Sequence, residues 1–256
     1  MRHLRAARHL FISRQFFHGS AGSPFSATAH PPEAKQLKTN KKDKVMKTRT
    51  KMLPMLAMLA ALPFSGVANA CNADPIVFVH GFSGWGGQFD NMINRFRNDG
   101  VPACSMYKFG YNSLGASNKT SARNLGNYIS NLRPAHNNRQ AKIIAHSNGG
   151  LVSRWYRVFE GGSTATNRLV TLGTPHYGTS WAYGCFSPAC FEMRYNSDFL
   201  KSLNGRGCDV SLWSDRDEII IPNSSARCGT SRQTANTSHL GLLNNQTVYN
   251  DIRRYL

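Results

Sequence analysis

The sequence predicts an α/β domain with a mostly parallel central sheet flanked by helices. Three observations predict it. From residue 74 onward, short apolar runs alternate with amphipathic runs, the order expected of strands and crossover helices. The apolar runs are continuous, as in strands covered on both faces. Hydrophobic residues make up 41% of the 256-residue chain and charged residues 17%. That balance suits a globular core and excludes a collagen-like or disordered chain.

Ahead of this pattern stands a segment of different character. Residues 1–45 are polar, basic and rich in Ser, Pro and His, and read as a non-native or disordered extension. Residues 46–70 read as a secretory signal. Lys47, Arg49 and Lys51 form a basic start, and Met52 to Phe64 an apolar stretch too short for a bilayer helix. Ala68-Asn69-Ala70 is a small-x-small cleavage site. Cleavage after Ala70 leaves 71–256 as the folded, exported domain, extracellular or periplasmic, with no transmembrane span of its own. The net charge of +18 invites a nucleic-acid partner, but the first 70 residues hold twelve of the 31 basic groups. The remainder carries 19 basic and 11 acidic groups, a net +8. With no recognisable nucleic-acid motif, that partner is excluded. All six Cys lie past residue 70, and an even count in an exported chain predicts disulfides. The expected pairs are Cys71–Cys104, tying the new N-terminus to a strand, and two that close short loops, Cys185–Cys190 and Cys208–Cys228.

The elements follow in order. Pro75 to His80 is a buried strand, and Gly81 to Gly84 the loop leaving it. Phe89 to Asn98 carries apolar residues at 89, 92, 93 and 96, a helical face ended by Gly100. Cys104 to Phe109 is a second strand. Lys119 to Leu132 is a second helix, with Ala122, Leu125, Ile129 and Leu132 on one side. Ala141 to His146 is a third strand, Asn148 to Phe159 a third helix stopped by Gly161-Gly162, and Arg168 to Leu172 a fourth strand. Asp209 to Trp213 is a fifth strand. Val248, Tyr249, Ile252, Tyr255 and Leu256 line the inner face of a terminal helix.

Ala145-His146-Ser147-Asn148-Gly149 falls between a strand and a helix, where a nucleophile elbow sits. The chemistry needs a Ser on a sharp turn, its hydroxyl above the sheet edge. Small residues two before and two after it let strand and helix come close. The helix N-terminus beneath Ser147 favours a developing negative charge. The usual pattern is G-x-S-x-G; here Ala145 replaces the first Gly. His146, next to Ser147, is read as a packing residue that helps hold the elbow and not as the base.

With V-H-G-F near the start, T-L-G-T-P-H-Y-G-T after the fourth strand, S-D-R-D-E-I-I-I-P and S-H-L-G-L-L, residues 74–256 resemble a secreted bacterial lipase of the α/β-hydrolase superfamily, the small A-x-S-x-G type. The resemblance implies a single α/β-hydrolase domain and a Ser-Asp-His order along the chain. It assigns Ser147 as nucleophile, Asp217 as the acid, with Asp215 as runner-up, and His239 as the base. It places the two oxyanion donors on the main chain of Phe82 and Asn148. His80 would order the Phe82 loop through a hydrogen bond, and Thr174-Pro175-His176 would be structural. Residues 181–199, rich in aromatics, Gly and Cys, form either a disulfide-pinned flap over an acyl pocket or a plain surface loop.

The function so implied is a secreted triacylglycerol lipase working through an acyl-enzyme. The alternatives are a short-chain carboxylesterase, a depolymerase of extracellular polyesters such as polyhydroxyalkanoate, and a catalytically silent binding protein. No cofactor is expected, and no Cys/His spacing suggests a metal. The expected partner is an ester or lipid substrate at a lipid–water interface, and the expected state a monomer.

Overall fold

The computed structural model describes residues 71–256. The extension 1–45 and the signal segment 46–70 lie outside the described residues. Six strands form one all-parallel sheet in the order β2-β1-β3-β4-β5-β6. They are β1 (Ile76–Val79), β2 (Met106–Phe109), β3 (Ala141–His146), β4 (Thr166–Leu172), β5 (Val210–Trp213) and β6 (Thr230–Gln233). The helices are α1 (Asp90–Asn98), α2 (Asn118–Leu132), α3 (Asn148–Phe159), α4 (Gly162–Ala165), α5 (Pro188–Met193), α6 (Asp198–Leu203) and α7 (Gln246–Tyr255).

Successive side chains of a strand point to opposite faces, and the sheet is covered on both. Val77, Val79, Ile143 and Ala145 pack with Leu125 and Ile129 of α2 and Leu151 and Val152 of α3. Ile76, Phe78 and Ile144 pack on the other face with Phe89, Met92 and Phe96 around α1 and with Val248 and Ile252 of α7. Each fully buried Val, Leu, Ile, Phe or Met among them contributes roughly 1.5–3 kcal/mol. This two-sided burial is why the apolar runs read as continuous.

The order reverses between β1 and β3. The loops leaving their C-terminal ends therefore diverge to opposite faces, and a crevice opens above them. The three expected disulfides form: Cys71–Cys104, Cys185–Cys190 and Cys208–Cys228.

The strands differ from the sequence expectation in several places. The second strand begins at Met106, because Ala103–Ser105 coils into a 3-10 turn in which the Ser105 hydroxyl donates to Pro102 O at 2.7 Å. The fourth begins at Thr166, ahead of Arg168. The sixth, Thr-Ser-Arg-Gln, lies at the sheet edge with all four residues exposed and so lacks the apolar signature of a strand. No helix of the described residues is long and apolar enough to cross a membrane.

Candidate active site

Ser147 ends β3 and precedes α3 with φ 54° and ψ −130°. A side chain bearing a Cβ seldom adopts that conformation, and the surroundings must enforce it. Ser147 N–H donates to Leu172 O at 2.8 Å, and Ser147 O accepts from Gly150 N–H at 3.0 Å and from the Thr174 hydroxyl at 2.8 Å. Thr174 thus has the structural role expected of its segment. Two glycines make room for the turn. A Cβ on Gly149 would collide with the carbonyls of Val79 and His80, and one on Gly81 would lie 2.7 Å from Ser147 Cβ. Strand β1, the elbow and the loop after β1 therefore press backbone on backbone.

Asp217 follows β5 and is buried. Its Oδ2 lies 2.8 Å from His239 Nδ1, and its Oδ1 accepts the N–H groups of Ile219 at 3.0 Å and Ile220 at 2.9 Å. Burial pushes the Asp217 carboxyl up, but the His239 bond and charge and the two amides outweigh it and hold it below the usual carboxylate range. An ionised Asp217 accepts a hydrogen bond from His239 Nδ1–H, which fixes the tautomer and leaves Nε2 as the proton acceptor. Asp215, the runner-up, is exposed and makes no bond to His239.

His239 is buried, and its main chain is held at both ends: its N–H donates to Glu218 Oε2 at 3.0 Å, and its O lies 3.0 Å from His146 Nε2. Burial, with the neighbouring His239 charge, pushes His146 down to about 3, so its ring is neutral and Nε2–H is the donor. His146 also holds by a hydrogen bond. It ties the strand that ends at Ser147 to the His239 loop, a link that its position beside Ser147 concealed. Glu218 was likewise not singled out from sequence, because a carboxylate accepting a main-chain N–H leaves no motif.

Ser147 and His239 line one cavity of about 190 Å³, with Phe82, Thr179, Trp181, Met193, Ile219, Ile220 and Leu240 among its walls. The Ser147 hydroxyl makes no hydrogen bond within the described residues. Active-site contacts of this kind commonly tighten only around bound substrate.

The main-chain N–H groups of Phe82 and Asn148 likewise donate to no acceptor among the described residues. Asn148 opens α3, so its N–H has no helical partner. Phe82 sits in the tight turn closed by Gly84 N–H to Gly81 O at 3.1 Å. His80 orders that turn. Its Nδ1 bonds Gly81 O at 2.9 Å, its Nε2 accepts Tyr111 N–H at 3.4 Å, and its ring stacks on Tyr111 at 4.3 Å.

The 181–199 segment borders the cavity through Trp181 and Met193 and carries the Cys185–Cys190 bridge. Its Tyr183, Phe186 and Phe191 are exposed around the Arg194 guanidinium. Among the described residues one group, His176, Cys208 and Cys228, is close enough to suggest a metal. Its two sulfurs are joined to each other, and Arg154 Nη1 lies 3.3 Å from His176 Nδ1, so the set does not suit a cation.

Residues 73–253 match the family model described as Lipase (class 2). Among solved structures, the chain is similar to a Bacillus licheniformis lipase in mature form at a TM-score of 0.62 and 15% identity, covering 72% of this chain and 91% of that one. It is also similar to Aspergillus fumigatus lipase B at a TM-score of 0.59 and 15% identity, covering 72% of this chain and 53% of that one. At such identities the likeness is one of fold.

Proposed function

We propose, for a chain that belongs to the class 2 lipase family of carboxylic ester hydrolases, that Ser147, His239 and Asp217 form its catalytic triad and that it acts as a secreted triacylglycerol lipase. The observation that carries this reading is the buried Asp217–His239 pair, 2.8 Å apart, opening on the same cavity as a serine held in a strained elbow.

The mechanism follows from the groups in place. His239 Nε2 takes the Ser147 proton as Oγ attacks the ester carbonyl. The N–H groups of Phe82 and Asn148 receive the oxyanion, and each such donor is typically worth about 10²–10³ in rate. The imidazolium, stabilised by Asp217, returns its proton to the departing alkoxide, which leaves as the alcohol. Water, deprotonated by the same nitrogen, then attacks the acyl-enzyme, and the acid departs as Ser147 recovers its proton.

Ser147→Ala is expected to fold as wild type and to lose ester hydrolysis by at least about 10³-fold. A fluorophosphonate that fails to label wild-type Ser147 would refute the assignment.

One observation favours a second reading. The cavity of about 190 Å³ is smaller than the roughly 300 Å³ at the low end of ligand pockets, which suits the short acyl chains of a carboxylesterase. Turnover across p-nitrophenyl esters and triglycerides of increasing chain length separates the two. A maximum at long-chain triglycerides supports the lipase, and a maximum at short soluble esters supports the esterase.

Export through cleavage after Ala70 is part of the proposal, supported by three disulfides. N-terminal sequencing of the exported protein should begin at Cys71.

A further inference from the structure

A run of polar groups connects the cavity-bordering segment to the back of the oxyanion site. Glu192 Oε2, from α5, accepts the main-chain N–H of Asn118 at 2.5 Å. Asn118 is the first residue of α2, where that N–H has no helical acceptor. The hydroxyl of the N-cap Ser117 does not serve it, because that oxygen takes the N–H of Thr120 at 3.1 Å. Asn118 Oδ1 in turn accepts Asn148 Nδ2 at 2.7 Å.

Both asparagines are almost wholly buried, at 1% and 0% exposure. The other ends of the two amides, Asn118 Nδ2 and Asn148 Oδ1, have no hydrogen-bond partner. The two side chains are joined by one bond, and the Asn148 amide also lies against the Tyr111 hydroxyl. Leaving two buried polar atoms unpaired costs about 1–3 kcal/mol each, so the arrangement is not the cheapest way to fill this space.

We propose that Glu192 is a positioning residue for ester hydrolysis: acting through Asn118, it fixes the Asn148 side chain and with it the direction of the Asn148 main-chain N–H. The proposal rests on the reading of Ser147 as nucleophile and Asn148 N–H as an oxyanion donor. The peptide joining Ser147 to Asn148 follows a strained φ and ψ; its carbonyl, Ser147 O, is held by Gly150 N–H and the Thr174 hydroxyl, and its N–H end is held through the Asn148 side chain. The Asn118 bond holds that second end from α2, and the Glu192 bond fixes the start of α2 from α5. Met193, the next residue of α5, lines the cavity, so acyl substrate seated there bears on the element that holds the relay.

The test compares Glu192→Ala, Glu192→Gln, Asn118→Ala and Asn148→Ala, each counted by fluorophosphonate titration of Ser147. Per titrated site, kcat is expected to fall about 10-fold or more in the three Ala variants, with KM within about 2-fold, since a misaimed donor weakens the transition state alone. Glu192→Gln keeps an acceptor oxygen and should recover most of kcat. Affinity for an alkyl boronic acid, whose tetrahedral adduct uses the oxyanion donors, should fall in step with kcat. Asn148→Ala guards against loss of folding, because Ala suits a helix start and leaves Glu192 bound to Asn118. Wild-type kcat and boronate affinity per site in Asn148→Ala, or in Asn118→Ala, would overturn the proposal even if thermal stability drops. Failure of wild type itself to label or turn over would instead refute the serine-hydrolase reading.

Discussion

The serine side and the carboxylate–histidine side of this site are held by different means. Ser147 is fixed by main chain pressed against main chain: β1, the 80–84 turn and the head of α3 meet where Gly81 and Gly149 admit no Cβ. Asp217 and His239 stand on loops after β5 and β6: Asp217 accepts hydrogen bonds from Ile219 and Ile220, and the His239 main chain donates to Glu218 and accepts from His146. The loops are themselves joined, since the Ser214 hydroxyl donates to Thr237 O at 2.6 Å and accepts Thr237 N–H at 3.0 Å. The lesson concerns tolerance. A site built on steric contact fails through shape, whereas one built on hydrogen bonds fails through chemistry and by degrees.

The largest expected effect breaks the carboxylate–histidine side alone. Asp217→Asn keeps the shape but favours the wrong imidazole tautomer, and kcat should drop about 10⁴-fold with folding intact. Circular dichroism and single-turnover kinetics read the two separately. Gly149→Ala should do the reverse, costing about 3 kcal/mol or more of stability as its methyl meets the Val79 and His80 carbonyls. A urea midpoint equal to wild type would break the contrast.

Acid probes the histidines that join the two sides. Burial holds His80, His146 and His176 below their ordinary value, with the His239 charge aiding at His146 and Arg154 at His176. Below roughly pH 6.5 the unfolded chain takes up protons that these rings refuse, so stability should fall as pH drops from there toward about 3, the value for His146. Each histidine contributes a slope of up to about 1.4 kcal/mol per pH unit. Asp217, held low, adds a further loss only beneath the ordinary carboxylate range. Thermal melts between pH 4 and 8 should show the decline, and a flat profile would mean that these rings titrate freely.

A finer distinction concerns two neighbouring carboxylates. Glu218→Gln should lower kcat only a few-fold, since the amide oxygen still accepts His239 N–H. Asp215→Asn, exposed and unbonded to the site, should change kcat by less than 2-fold on the roughly additive scale of surface substitutions.

Much of this was legible in the sequence, for physical reasons. Five strands announced themselves because burial on both faces demands continuous apolar runs such as Ile76 to Val79. The elbow was readable because its steric demands restrict residue types, as at Gly149. Asp217 and His239, chosen by resemblance to lipases, lie bonded in the fold, and exposure sets Asp215 apart. What was hidden had no compositional mark. β6 is exposed along its length, and α5 and α6 are short pieces within an aromatic-rich stretch. The partners of Glu218, Glu192 and Asn118 depend on contacts across 21, 74 and 30 residues of chain. A single polar letter does not reveal which distant amide it will meet.

The edge strand has a bearing on solubility. One side of Thr230–Gln233 pairs with β5, while its outer row of N–H and C=O groups is the natural place for another chain to add. Thr, Ser, Arg and Gln offer such a newcomer no greasy face, and Arg232 is drawn aside to Asp251 of α7 at 3.0 Å. Rewriting this strand with valines would leave the catalytic geometry alone and invite fibrous self-association at high concentration.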